Sequence, residues 1–285
     1  MDINISSFLN WSKSQLAEAG VPSPRLDSEI ILAHTLNISR TDLWMQNQRM
    51  LSESEIKDVK KYMERRLNRE PISQIVGHQE FWSLDFIVDE NVLAPRPETE
   101  LLIETALNCI SSPTAKILDL GTGSGALAVT MAKEISECKV LAIDIDPKAL
   151  IIAKENSKRH GVINRIEFIC GDLRTRDWSG CFSLILSNPP YLKSEDIEKI
   201  MPEVRNYEPR KALDGGVTGL DFYRSIIPMA VDRLEENGFL ILEICHDQAY
   251  EVTALLNNFS CYQNIKVIQD YSGYDRVIKT QKKNG

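Results

Sequence analysis

An α/β fold is expected: a doubly wound, mostly parallel sheet of seven strands, joined to a smaller all-helical N-terminal domain. Three observations predict it. From about residue 97 short apolar runs alternate with helical patterns; a glycine-rich turn follows the first run; and residues 1–75 show only helical spacing. The 285 residues suggest about two domains. The expected division is 1–75 (helical, substrate-docking), 76–96 (β-hairpin linker) and 97–285 (catalytic).

In the helical part, Phe8, Trp11, Leu16 and Ala19, then Leu26, Ile30, Ala33 and Leu36, recur at helical spacing. Ser52 with Glu55 forms a capping box, and Pro71 closes that helix. Lys57, Lys61, Arg65 and Arg69 are spaced by four, giving either a solvated face or a docking stripe. Phe81, Leu84, Phe86 and Val88 alternate as in a hairpin, and Pro95-Arg96-Pro97 then stiffens the chain. Strands are expected at Lys116–Leu120, Val140–Ile143, Arg165–Ile169, Phe182–Leu186 and Phe239–Ile244, the last after a helix over 221–236. Ile265–Gln269 and Arg276–Lys279 supply two more near an edge.

The formal charge of −8 disfavours non-specific nucleic-acid binding, which needs clustered Lys and Arg. Six scattered cysteines without C-x-x-C, no signal-like start and no membrane-length apolar run lead to the expectation of a cytoplasmic protein without a membrane partner. The histidines at 34, 78, 160 and 246 show no ligand spacing, so no metal is expected.

The strongest local signal is Asp119-Leu120-Gly121-Thr122-Gly123-Ser124-Gly125, with Asp144 ending the next strand. Glycines let backbone approach a ligand, and the distal acid suits ribose hydroxyls. With Ala126 the loop also satisfies the dinucleotide pattern G-x-G-x-x-G/A. Asp119 would repel a pyrophosphate but attract the sulfonium and amino groups of S-adenosyl-L-methionine. After the third strand, Asp172 and Leu173 suit an adenine amino group and ring, or a plain turn. Asn188-Pro189-Pro190-Tyr191 follows the fourth strand. Two prolines remove N–H donors and leave carbonyls, so the loop is rich in acceptors and fits a planar NH2 group. In isolation it would read as a turn.

These two loops resemble those of class I amino-methyltransferases. The full set of motifs is similar to the release factor glutamine methyltransferases (the HemK/PrmC family). It comprises Pro24–Asp27, Glu70–Ile72, Glu80–Trp82, Pro95–Glu100, the glycine loop, Ser187–Tyr191, Glu208–Arg210, Leu213–Gly216 and Gly219–Tyr223. The resemblance implies N5-methylation of the glutamine in the Gly-Gly-Gln motif of class 1 peptide chain release factors, with S-adenosyl-L-homocysteine as co-product. It implies Asn188 and Pro189 as acceptors, Pro190 and Tyr191 beside them, and Arg96 and Glu98 near the substrate. A monomer is expected. Cys245 stands where similar proteins usually carry glycine. Rival readings are a nucleic-acid (adenine N6 or guanine N2) amino-methyltransferase, a non-catalytic cofactor-binding adaptor and, more distantly, a nicotinamide-dependent dehydrogenase.

Overall fold

The computed structural model describes residues 3–175 and 179–284. Met1, Asp2 and Gly285, the ends of the expected domain ranges, lie outside them. The chain divides into two compact units. The smaller holds the chain up to His78 together with Met201–Tyr207; the larger holds Gln79–Ile200 and the chain from Glu208 onward.

In chain order the first five helices are α1 (Ile5–Glu18), α2 (Pro24–Leu36), α3 (Arg40–Met45), α4 (Glu53–Leu67) and α5 (Ile72–Val76). Asn4, Ser39 and Ser52 start α1, α3 and α4 with reciprocal capping boxes, satisfying backbone N–H groups that the first turn cannot pair. Ile5, Phe8, Leu16, Ile31, Leu32, Leu43, Val59 and Met63 form the core of this unit. The buried face of α2 departs from the expected one. It carries Asp27, Ser28, Ile31 and Leu32, while Leu26 is exposed. The reason is ionic. The guanidinium of Arg66 is buried and donates to Asp27 Oδ2 at 2.7 Å and to Glu203 Oε1 at 3.0 Å. Glu203 also accepts from Arg69 through two 2.7 Å bonds. It lies on α9 (Pro202–Tyr207), which the chain returns to the smaller unit.

Ion pairs engage three of the four residues of the basic stripe. Arg69 lies beyond α4 in left-handed backbone and is committed to Glu203. Arg65 is held by Glu70 and Lys61 by Asp58.

The larger unit begins with a hairpin, β1 (His78–Phe81) and β2 (Leu84–Ile87), turning through Trp82 and Ser83 in left-handed backbone. Phe81 and Phe86 belong to the main core of this unit, so the hairpin is part of that unit rather than a free-standing linker. There follow α6 (Glu100–Leu107), β3 (Lys116–Leu120), α7 (Ala126–Glu134), β4 (Lys139–Asp144), α8 (Pro147–Arg159), β5 (Ile166–Cys170) and β6 (Phe182–Ser187). After α9 come α10 (Asp221–Arg233), β7 (Leu234–Glu243), α11 (Ala249–Asn257), β8 (Tyr262–Gln269) and β9 (Asp275–Lys282). The sheet order is β5-β4-β3-β6-β7-β9-β8, with β9 antiparallel to both its neighbours. The helix expected over 221–236 ends at Arg233, and β7 starts five residues earlier than the apolar run. Apolar clusters cover both sheet faces, as a doubly wound sheet requires.

Removing Arg66 strands the buried carboxylate of Asp27 and leaves Glu203 to Arg69 alone. Arg66→Ala is expected to cost about 3–5 kcal/mol, the scale for breaking a buried ion pair. Hydrogen exchange of the full chain checks this: protection of α2 and α4 amides should fall correspondingly, and unchanged protection would contradict it.

Candidate active site

Two loops leave the carboxyl ends of adjacent strands. β3 pairs in parallel register with β4 and β6, so Leu120 faces Ile143 on one side and Ser187 on the other. The next residues are Gly121 on one loop and Asn188 on the other. Ser187 Oγ donates to Leu120 O at 2.7 Å, a buried bond that ties the two strand ends together.

The glycine loop is folded against β4. The N–H groups of Gly121 and Thr122 both donate to Ile143 O at 2.9 Å, and that of Gly123 donates to Asp144 Oδ2 at 2.8 Å. All three donors at this turn are therefore committed, which leaves none of them for a pyrophosphate and disfavours the dinucleotide reading. A Cβ on Gly121 or Gly123 would meet open space, and both residues line a cavity of about 270 Å³. Asp144, Asp172, Leu173, Asn188 and Pro190 line it too. Ile145, and Phe222 of the Gly219–Tyr223 motif, add apolar surface.

Asp119 lies behind the loop, fully buried. Its Oδ2 accepts from Thr122 Oγ1 at 2.6 Å and from Ala128 N at 3.2 Å, while Oδ1 has no hydrogen-bond partner. Thr122 and Ser124 are likewise buried, and Gly125 is the N-cap of α7. Asp119, Thr122, Ser124 and Gly125 thus shape the loop from behind rather than walling the cavity. Asp172 is engaged by Arg174, which donates to both its carboxylate oxygens and stacks 5.6 Å from the Phe222 ring. Asp172 Oδ1 also accepts from Arg174 N at 2.9 Å, the turn-capping role open to an aspartate here.

The acceptor loop is held by residues from three directions. Leu192 N donates to Leu213 O, and Gly215 N to Leu192 O. Gln248 Nε2 donates to Tyr191 O at 2.9 Å and to Gly219 O at 3.1 Å. Gly219 has φ +71°, and a Cβ there would stand 2.5 Å from Tyr191 O, so only glycine fits this approach. Asn188 Nδ2 donates to Thr99 Oγ1 at 3.3 Å. Arg96 grips the buried Glu208 with two 2.6 Å bonds, whereas Glu98 is exposed. Sequence reasoning missed Gln248 and Thr99, as well as Glu243 at the end of β7. Their one available signal is position after a strand or beside Pro97. The thiol of Cys245, the ring of His246 and the carboxylate of Asp247 hold their ligand atoms within 4.8 Å of one another, a grouping of consecutive residues that spacing rules do not catch.

Burial pushes the Asp119 carboxyl up to about 7, and the nearby Asp144 adds to this, against the opposing bonds from Thr122 and Ala128. The native state binds the Asp119 proton more tightly than an unfolded chain with an ordinary value of 3.8, so this contribution to stability is complete below about 4 and is lost as pH rises through 7. Asp119→Asn should therefore flatten the decline of the thermal midpoint between about pH 4 and 7. An identical decline in the variant would contradict this.

Comparison with known proteins agrees with this geometry. Residues 7–77 match the family described as PrmC N-terminal domain, and residues 97–205 the one described as Methyltransferase small domain. A solved methyltransferase from Pyrococcus furiosus superposes with TM-score 0.54 at 20% identity, covering 79% of this chain and all of that one, which shows a shared fold. A release factor glutamine methyltransferase from Geobacter sulfurreducens is 39% identical, covering 96% of this chain and 95% of its own. One from Caulobacter vibrioides is 37% identical, with 98% and 96% covered. At such identity over nearly the full length of both partners, the chain belongs to the release factor glutamine methyltransferase family.

Proposed function

We propose that this protein transfers a methyl group from S-adenosyl-L-methionine to the side-chain amide nitrogen of the glutamine in the Gly-Gly-Gln motif of class 1 release factors. The observation that carries the reading is the adjacency of the two loops. The Leu120–Ser187 pairing sets an acceptor-rich Asn-Pro-Pro-Tyr turn beside a glycine cradle whose own N–H groups are spent.

The residues suit the cofactor. Gly121 and Gly123 leave room for it, Asp144 faces the cavity to accept from ribose hydroxyls, and Leu173 with Phe222 offers apolar walls for adenine. Asp119 keeps a free buried oxygen under the loop, favourable to positive charge above it. When bound, S-adenosyl-L-methionine supplies an electrophilic methyl group.

The chain's own work is done at the acceptor. An amide nitrogen is a poor nucleophile because its lone pair is shared with its carbonyl. Asn188 Oδ1 and the Pro189 carbonyl each accept one N–H of the substrate amide. This fixes the nitrogen's direction and favours positive charge developing on it. Tyr191 packs alongside as a flat face. No strong base is needed before attack, since the proton leaves afterwards. The smaller unit serves to dock the protein substrate.

The test is incubation with labelled S-adenosyl-L-methionine and either a release factor or RNA. Label on the factor's glutamine is expected, and label on RNA alone would overturn the reading. Asn188→Ala should slow transfer roughly 10²–10³-fold, the scale for deleting one preorganised polar group. A normal rate would reduce the loop to a structural turn.

A further inference from the structure

An ion pair joins the two sides of the cofactor cavity. In the sheet, β3 stands between β4 and β6. Asp146 lies two residues beyond the end of β4. Lys211 lies in the short 3-10 turn Arg210–Ala212. That turn is tied to the chain after β6 from both flanks. Arg96 grips Glu208 before it; after it, Leu192 N donates to Leu213 O at 3.0 Å and Ser194 Oγ to Asp214 Oδ1 at 2.6 Å. Lys211 Nζ donates to Asp146 Oδ2. The bond therefore runs from the β4 side to the β6 side, past the strand whose loop is the glycine cradle. Both residues line the cavity of about 270 Å³.

The two ends of the pair are unlike. Asp146 is built into the framework and is only 7% exposed. It caps α8 by accepting from Lys148 N at 2.9 Å, and its own N–H donates to Asp144 Oδ1 at 2.9 Å. It cannot swing away without undoing the cap. Lys211 ends a long flexible stem and its side chain is 49% exposed. Water can replace its partner, so Lys211 is the end that lets go.

We infer that Lys211 and Asp146 form a clasp across the cofactor cavity. Closed, it holds the Arg210–Ala212 turn against the β4 side; open, it lets S-adenosyl-L-methionine enter and S-adenosyl-L-homocysteine leave. Both are positioning residues: they act on cofactor exchange through the turn, not on the methyl group. The inference rests on the assignment of this cavity to the cofactor.

A clasp has a kinetic signature. It bars entry and exit alike, and it forms in the same way with the cavity filled or empty. Weakening it raises association and release by one factor and leaves Kd unchanged. Loss of a direct contact to the cofactor would instead raise release alone and weaken Kd.

Surface plasmon resonance with S-adenosyl-L-homocysteine over the immobilised full chain measures both rate constants. Lys211→Met keeps the stem and removes the charge. Asp146→Asn removes the charge and keeps a side chain that caps a helix equally well. Each should raise both rate constants by about threefold to tenfold, above the range for a fully exposed pair because Asp146 is buried. The double variant should go no further than either single one, because both act through the same bond. Added salt should speed exchange in the wild type and leave exchange in Lys211→Met unaltered, since screening acts on the pair. Unchanged rates in the single variants, a rise confined to release, or effects that multiply in the double variant would overturn the clasp while leaving the cavity as the cofactor site. Wild-type protein that fails to bind S-adenosyl-L-homocysteine would instead remove the reading beneath it.

Discussion

The in-register pairing of Leu120 with Ser187, closed by the hydroxyl of Ser187 on the carbonyl of Leu120, is the constraint on which the site depends. Parallel neighbours in a doubly wound sheet deliver their loops to one edge. Here the delivery is exact to the residue, with Gly121 and Asn188 each one step beyond the pair. A slip of one residue would invert which side chains face the core and would separate the cofactor cradle from the acceptor loop. Gln248, Gly215 and Gly219 then hold the acceptor loop from the far side. It is a rigid turn fastened at both ends.

Two fully buried carboxyls lie beneath the two loops, Asp119 under the first and Glu243 by the second. Each has an oxygen without a partner, and each is held near neutrality by burial. Such groups destabilise the fold at neutral pH, because an ionised carboxylate in a low-dielectric interior lacks the solvation it has in water. Both stand at the strand ends that carry the chemistry. Neither belongs to the ionic cluster of the smaller unit, where Arg66 and Arg69 neutralise Asp27 and Glu203 directly. The contrast separates a structural use of buried charge from one in which an acceptor is deliberately kept free.

Much of this was legible in the sequence, for identifiable reasons. Buried parallel strands are short apolar runs, and β3 was readable to its exact ends; the Ser52–Glu55 box marked a helix start because it satisfies a terminal backbone need. The glycine and Asn-Pro-Pro-Tyr loops were legible because their chemistry is local. What escaped depends on contacts between distant residues. Glu203 meets Arg66 across 137 residues, and no periodicity signals that a short helix returns to the smaller unit. The shifted face of α2 follows from that same pairing. The early start of β7 was hidden by its polar beginning over residues 235–238, the first two of which read as the end of the preceding helix. Thr99, Glu243 and Gln248 are single polar residues whose partners lie on other elements, so their meaning exists only once the sheet is assembled.

The central claim is that the acceptor loop holds the substrate amide through Asn188 and Pro189. The most direct measurement is a crystal structure with S-adenosyl-L-homocysteine and a Gly-Gly-Gln peptide bound. The account predicts the glutamine NH2 at about 3 Å from both Asn188 Oδ1 and the Pro189 carbonyl, with Asn188 Nδ2 still on Thr99. A peptide whose glutamine amide lies away from this loop, or meets Asn188 through Nδ2, would contradict it.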